Sequence, residues 1–218
     1  MGQKVHPFGF RLGPLYTWKS RWFSGNSEQY KTQVIEDYNL RNFLHEKLKT
    51  AGLTEVIIER SINTITVVLH VSRPGVVIGR GGANLEQLKK DVLNQLKIKP
   101  DSKATKVELK VEEEKNPDIQ APLIIGRLID QLEHRYPHRR ACMQAMEKAI
   151  AAGAKGIKII LSGRINGAEI GRTEKFTNGT VPTQTLRADI DYAEKPALTK
   201  SGYVGIKVYV YKGERQTN

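Results

Sequence analysis

Gly79-Arg80-Gly81-Gly82 limits the folds open to this chain more than any other stretch, because of what flanks it. The apolar run Val76-Val77-Ile78 precedes it, and a helical pattern carrying Leu85, Leu88, Val92 and Leu96 follows. Glycine has no Cβ, so backbone can approach a phosphodiester closely, and the free N–H groups at the start of the Gly82–Leu96 helix point toward a bound phosphate. Arg80 puts a charge at the tip, and Val77 and Ile78 offer an apolar floor for bases. A P-loop would need Lys-Ser or Lys-Thr after the last glycine, where Ala83-Asn84 stands, and a dinucleotide fingerprint has a different register. A tight turn with no ligand also uses glycine and is the competing reading.

The surrounding periodicity sets the context. A helix is predicted from about Gln29 to Thr50, with Val34, Tyr38, Leu40, Leu44 and Leu48 on its apolar side and Gly52 ending it. Glu55–Arg60 and Thr64–Val71 alternate apolar and polar residues around the hairpin-length Ser61-Ile62-Asn63. Beyond the loop helix, Pro100-Asp101-Ser102 breaks the chain, and Lys106–Val111 puts Val107, Leu109 and Val111 on one face. Helix–strand–strand before the loop and helix–strand after it favour an RNA-binding loop over a bare turn. A Gly-x-x-Gly loop clamping about four nucleotides marks the KH module.

The acidic turn Glu112-Glu113-Glu114-Lys115-Asn116-Pro117 marks a boundary. Residues 1–29, with Gly2, Gly9, Gly13, Gly25, Pro7 and Pro14, read as an irregular basic and aromatic arm. Residues 30–115 form one domain and 116–218 a second. In the arm, Trp18, Trp22 and Phe23 suit stacking on bases or folding back onto a core, with neither favoured. The second domain opens with helices at about Ile119–His134 and Arg139–Ala152. Strands follow at Lys155–Ser162, Glu169–Phe176, Thr185–Tyr192 and Tyr203–Tyr211. Two helices before a run of strands predict an α+β fold, with helices packed on a mostly antiparallel sheet.

Charge is spread along the chain. The 35 Lys and Arg exceed the 23 Asp and Glu by twelve, with +4 in residues 1–53, +2 in 54–115 and +6 in 116–218. A long polyanion touched at many points fits such a distribution, since each neutralised phosphate releases counterions. No apolar run approaches the roughly 20 residues that span a bilayer. Nor does the start of the sequence read as a signal, transit or myristoylation segment.

No catalytic or metal-binding constellation is expected, and no cofactor. The five histidines are scattered, and Pro137 separates His134 from His138. Cys142, the one cysteine, lies on a stripe with Met146, Ala149 and Ile150 and reads as core. Asp189 and Asp191 alternate beside Arg187, which suggests an ion pair rather than acid–base chemistry.

Several blocks, in order, resemble bacterial-type small-subunit ribosomal protein three, the KH-containing protein of the subunit head. They are Met1-Gly2-Gln3-Lys4-Val5-His6-Pro7 with Arg11-Leu12-Gly13, then Arg73-Pro74-Gly75-Val76-Val77-Ile78-Gly79. Gly153-Ala154-Lys155-Gly156-Ile157-Lys158, Ser162-Gly163-Arg164 and Gly167-Ala168-Glu169-Ile170 follow. Arg172-Thr173-Glu174 and Thr185-Leu186-Arg187-Ala188-Asp189-Ile190-Asp191-Tyr192 complete the set. The resemblance implies a type II KH domain followed by an α/β C-terminal domain. It also implies a non-enzymatic role in translation, bound to the ribosome in a bacterial cytoplasm or an organelle matrix. Implied partners are 16S-type ribosomal RNA, messenger RNA and small-subunit ribosomal proteins two, ten and fourteen.

By the same resemblance, Arg139 and Arg140 face messenger RNA at its entry and assist unwinding. The family's third cation there is Met143 in this chain. The family often has basic residues at one or both middle positions of the glycine loop, and Gly81 takes the second here. Gln3, Lys4, His6, Arg11, Arg164, Arg172, Lys175 and Arg187 are the candidate ribosomal RNA contacts. A free-standing KH regulator or RNA chaperone is the alternative function.

Overall fold

The computed structural model describes residues 3–96 and 106–215. The break expected at Pro100-Asp101-Ser102 lies outside the described residues, as do Met1 and Gly2. Two units are present. One runs Trp18–Lys115, and the other joins the chain up to Thr17 to the chain from Asn116 onward. Of the expected arm, residues 1–29, the described residues 3–17 belong to one unit and 18–29 to the other.

In chain order, α1 (Pro7–Phe10) comes first, with His6 Nδ1 accepting from the Gly9 N–H at its start. β1 (Ser20–Arg21) and α2 (Ser27–Lys47) open the first unit. The side chain of Asn26 caps α2 by accepting from the Glu28 N–H at 3.0 Å. β2 (Leu53–Arg60) and β3 (Thr64–Val71) follow as an antiparallel hairpin. Then come α3 (Pro74–Ile78), α4 (Ala83–Gln95) and β4 (Lys106–Glu113).

The sheet order is β1-β2-β3-β4. β4 runs parallel to β3, which a hairpin cannot achieve, so the chain must cross over through α3 and α4. Leu40, Leu44, Val56, Ile58, Val67, Leu69, Leu88, Val92 and Val107 form one core. Val34 and Tyr38, expected on the buried side of α2, are 42% and 65% exposed. The reason is angular. Leu40, Leu44 and Leu48 make one stripe four residues apart, and Tyr38 lies two residues, about 200°, from Leu40.

A buried carboxylate anchors the aromatic segment of this unit. Asp37 accepts from Trp22 Nε1 at 2.7 Å and from Arg60 Nη2 at 2.6 Å and Nε at 3.0 Å. Of the two readings for the aromatics, Trp22 is half-buried and folded back, whereas Trp18 and Phe23 stay exposed.

The second unit holds α5 (Ala121–Glu133), α6 (His138–Ala151), β5 (Gly156–Gly163), β6 (Arg172–Gly179), β7 (Ala188–Thr199) and β8 (Gly202–Glu214). Its sheet order is β6-β5-β8-β7, antiparallel throughout. Ile157, Ile159 and Leu161 alternate inward with Val204, Ile206, Val208 and Val210, under Ile124, Ile125, Leu128, Cys142 and Met146 of the helices. This is the α+β arrangement expected. Pro196, which cannot donate to a ladder on both sides, sits on edge strand β7.

Arg11 departs most from expectation. Proposed as an RNA contact, it is wholly buried. Its Nε donates to Ala188 O at 2.6 Å and its Nη1 to Pro7 O at 3.0 Å. Nη2 donates to Thr185 O at 2.9 Å and Thr183 O at 3.0 Å, with Pro182 O at 3.4 Å. A guanidinium with its donors committed to internal carbonyls cannot reach a phosphate. Arg11→Ala would leave several buried carbonyls unpaired. It is expected to lower stability in urea denaturation of the full chain by about 3 kcal/mol. An unchanged midpoint would mean that water replaces the guanidinium.

Candidate nucleic-acid interfaces

The glycine loop of the first unit joins two helices. α3 ends at Ile78, the chain turns through Gly79–Gly82, and α4 begins at Ala83. Gly79 has φ +72° and ψ −178°, a conformation in which an L side chain is strained. Gly81 and Gly82 have φ of +62° and +84°. A Cβ on Gly79 would stand 2.6 Å from Asn84 Cγ, and Asn84 Nδ2 is itself held at 3.2 Å by Val76 O. Arg80 is exposed at the tip. The expected apolar floor is different: Val77 turns inward and is 2% exposed, so Val76 and Ile78 are the apolar side chains presented outward. Three successive residues of a short helix cannot all face one way, and Val77 is the one that meets the core.

In the second unit, His138, Arg139 and Arg140 form the first turn of α6. His138 is buried, its Nδ1 3.1 Å from Asn166 Oδ1 and its Nε2 2.9 Å from Glu174 Oε2. Arg139 and Arg140 project outward, with the Arg139 side chain 74% exposed. Glu174 is the hub of this corner: Arg172 Nε lies 2.7 Å from Oε1, and Arg139 Nε stands off at 3.9 Å from Oε2. Met143, one turn further, is 57% exposed. Hydrogen bonding from His138 holds the Glu174 carboxyl below the ordinary carboxylate range, against burial, with Arg172 assisting.

The remaining candidates are dispersed. Arg164 is exposed and its Nε donates to Ala168 O at 2.8 Å. Lys175 and Arg187 are exposed. The expected pairing of Arg187 with the aspartates is replaced by other partners. Asp189 takes Tyr16 Oη at 2.6 Å and Arg215 Nε at 2.7 Å. Asp191 accepts from the Ala121 N–H at 2.8 Å, at the start of α5, with Lys212 at 3.6 Å. Gln3 and Lys4 are exposed, and the His6 ring meets Tyr192 edge-on at 4.8 Å. Burial pushes the Cys142 thiol up to about 12, in keeping with a core residue. Sequence reasoning missed Glu174 and the inward turn of His138. Nothing local signals either, because their partners lie 36 residues apart.

Residues 39–119 match the KH domain family, and residues 128–210 match the family described as ribosomal protein S3, C-terminal domain. The chain is 46% identical to small ribosomal subunit protein uS3 of Salinibacter ruber, over 98% of this chain and 87% of the relative. It is 44% identical to the protein of that name from Caldicellulosiruptor bescii, over 98% and 93%. With the one from Lactobacillus delbrueckii subsp. bulgaricus the identity is 45%, over 98% and 92%. The chain belongs to the uS3 family. That makes it a structural, non-enzymatic protein of the small ribosomal subunit, with an RNA-binding KH domain. Such uS3 relatives extend over both units, which removes the free-standing regulator from consideration. Among the described residues, no helix is long and apolar enough to cross a membrane.

Two tests follow for these corners of the uS3 fold. Gly79→Ala is expected to cost about 2–3 kcal/mol in denaturation, because strained backbone is joined by a clash with Asn84. Gly81→Ala, which meets open space, is expected to cost about 1 kcal/mol; equal costs would put the strain elsewhere. Glu174 has a depressed folded pKa, so its stabilising contribution is present above the ordinary value near 4.5 and drains as pH falls through the depressed one. Glu174→Gln is thus expected to lower the melting temperature at pH 7, with the gap to wild type closing on acidification below about 4.5. A gap independent of pH would remove the ionic contribution.

Proposed function

We propose that this chain binds 16S-type ribosomal RNA in the subunit head and lines the entry of messenger RNA, where Arg139 and Arg140 help to separate structured message. It does so bound to ribosomes, in a bacterial cytoplasm or an organelle matrix, beside small-subunit proteins two, ten and fourteen. One observation carries the entry role. The arginines occupy the first turn of α6 and are exposed, and Arg139 reaches Glu174 only through a long 3.9 Å ion pair, beyond hydrogen-bond range. The positive end of a helix dipole repels cations. A pair of arginines there does nothing for the stability of α6, while the same dipole and the unpaired N–H groups of that turn add to their attraction for phosphate.

Met143 gives the third position of that face an apolar side chain, so two cations do the work. The Arg80 loop and the scattered Arg164, Arg172, Lys175 and Arg187 supply ribosomal RNA contacts, as do Gln3, Lys4 and His6. Arg11 is excluded by its burial.

Sucrose-gradient fractionation at low salt tests the assembly: the protein should travel with small subunits, and its persistence in ribosome-free fractions would overturn the reading. For the entry role, Arg139→Ala with Arg140→Ala should slow translation of messages with stable hairpins several-fold more than unstructured ones. Met143→Lys should act in the opposite sense. Equal slowing of both messages would remove the unwinding role and leave the ribosomal one intact.

A further inference from the structure

The helix-free face of the second unit's sheet carries a row that no role described above uses. Thr177, Lys158, Tyr209 and Tyr192 are register partners across β6, β5, β8 and β7. The Lys158 ammonium sits 5.2 Å from the centre of the Tyr209 ring, and Tyr209 packs on Tyr192 at 4.7 Å. Residues 3–10 run alongside this row. Gln3, Lys4, Phe10, Thr183, Lys158 and Tyr209 thereby line a cleft of about 420 Å3.

Three properties of the cleft point to one ligand class. First, it concentrates cations. Burial lowers the pKa of Lys158, and the charges of Lys175 and Lys4 lower it further. Among the described residues no carboxylate is paired with Lys4, Lys158 or Lys175. Glu194, on the neighbouring row of Lys175, Ile160 and Lys207, is taken by Tyr192 Oη and by Lys207 at 3.5 Å. Such a cluster destabilises the isolated fold and is relieved by an anion. Second, the wall is aromatic. Phe10 is 39% exposed with the Arg11 guanidinium 5.5 Å from its ring centre, and Tyr209 is half-buried. Third, the volume falls in the range of roughly 300–1,000 Å3 that suits a small molecule, too small for a duplex.

We propose that this cleft receives a single nucleotide of RNA turned out of its helix. The base lies against Phe10 and Tyr209, and the phosphate lies between Lys4 and Lys158, with Lys175 on the neighbouring row adding charge. The proposal rests on the ribosomal RNA reading and sharpens it: bases leave a stack most readily at bulges, and aromatic faces receive them without dictating sequence. It adds Phe10, Lys158 and Tyr209 to the RNA contacts.

The test uses the purified full chain and two RNA hairpins that differ only by one bulged nucleotide. Affinities are measured across a salt series. Wild type is expected to bind the bulged hairpin roughly tenfold tighter than the paired one. Lys158→Gln should remove most of that preference and reduce the salt slope for the bulged hairpin by about 0.7. Lys158→Arg should keep the preference, and Phe10→Leu should shrink the ratio of the two affinities. Thermal melts confirm that each variant is folded.

Equal affinities for the two hairpins overturn the proposal. So does a preference that survives both Lys158→Gln and Phe10→Leu. Carbodiimide coupling of Lys158 to a protein carboxylate in assembled subunits would also overturn it, by identifying an acidic protein segment as the occupant. Co-sedimentation of the wild-type chain with small subunits is read separately. A failed cleft with intact co-sedimentation therefore leaves the ribosomal reading standing.

Discussion

A guanidinium removed from water must give its N–H groups to oxygen atoms or the burial is prohibitive. Arg11 meets that demand with carbonyls from two parts of the chain more than 170 residues apart, Pro7 on one side and Pro182, Thr183, Thr185 and Ala188 on the other. The 182–187 segment is neither helix nor strand, so its carbonyls have no ladder to enter and need a donor from elsewhere. Arg11 is that donor. Tyr16 reinforces it by donating to Asp189 and raising its own hydroxyl pKa well above the usual value through burial and that contact. Once these bonds form, Gln3–Phe10 has a fixed course along the sheet, and the wall of the Lys158 cleft follows from it.

Each unit uses a buried carboxylate in the same way. Asp37 collects Trp22 and Arg60, and Arg60 also bonds Glu36 and lies 5.6 Å from the Trp22 ring centre. Asp189 collects Tyr16 and Arg215. Neither hub adds much stability by its charge, since desolvation offsets most of the attraction. What each hub does is specify: only one course of a glycine- and proline-punctuated chain brings those donors to that oxygen. This is how a segment with arm-like composition acquires a defined structure.

Legibility in the sequence tracked the range of the interactions. β3 was readable to the residue, because Ile65, Val67, Leu69 and Val71 alternate and all four are buried. The α5–α6 turn was readable from Tyr136-Pro137, and the glycine loop from its spacing. Where two apolar stripes share one helix, as in α2, periodicity alone could not choose between them, and Val34 and Tyr38 were assigned to the wrong one. Arg11 read as a surface cation because charge is a local property and its acceptors are remote. The same holds for Glu174, whose partner His138 is on another element. The Arg139–Arg140 pair was visible only through the family resemblance, since on composition alone it is an ordinary solvated helix start.

The electrostatic layout of the chain follows from where its acids are spent. Asp37, Asp189, Asp191 and Glu174 are engaged by internal donors, some of them uncharged: Trp22, Tyr16 and a backbone N–H. With twelve more basic than acidic groups in the chain, the acids cannot balance every cation. Cations such as Lys158 beside Lys4 and Lys175, and Arg139, held only by a long 3.9 Å ion pair to Glu174, are left to be balanced from outside. The fold thus gives up some stability of the free chain, and the polyanion it assembles with supplies the balance.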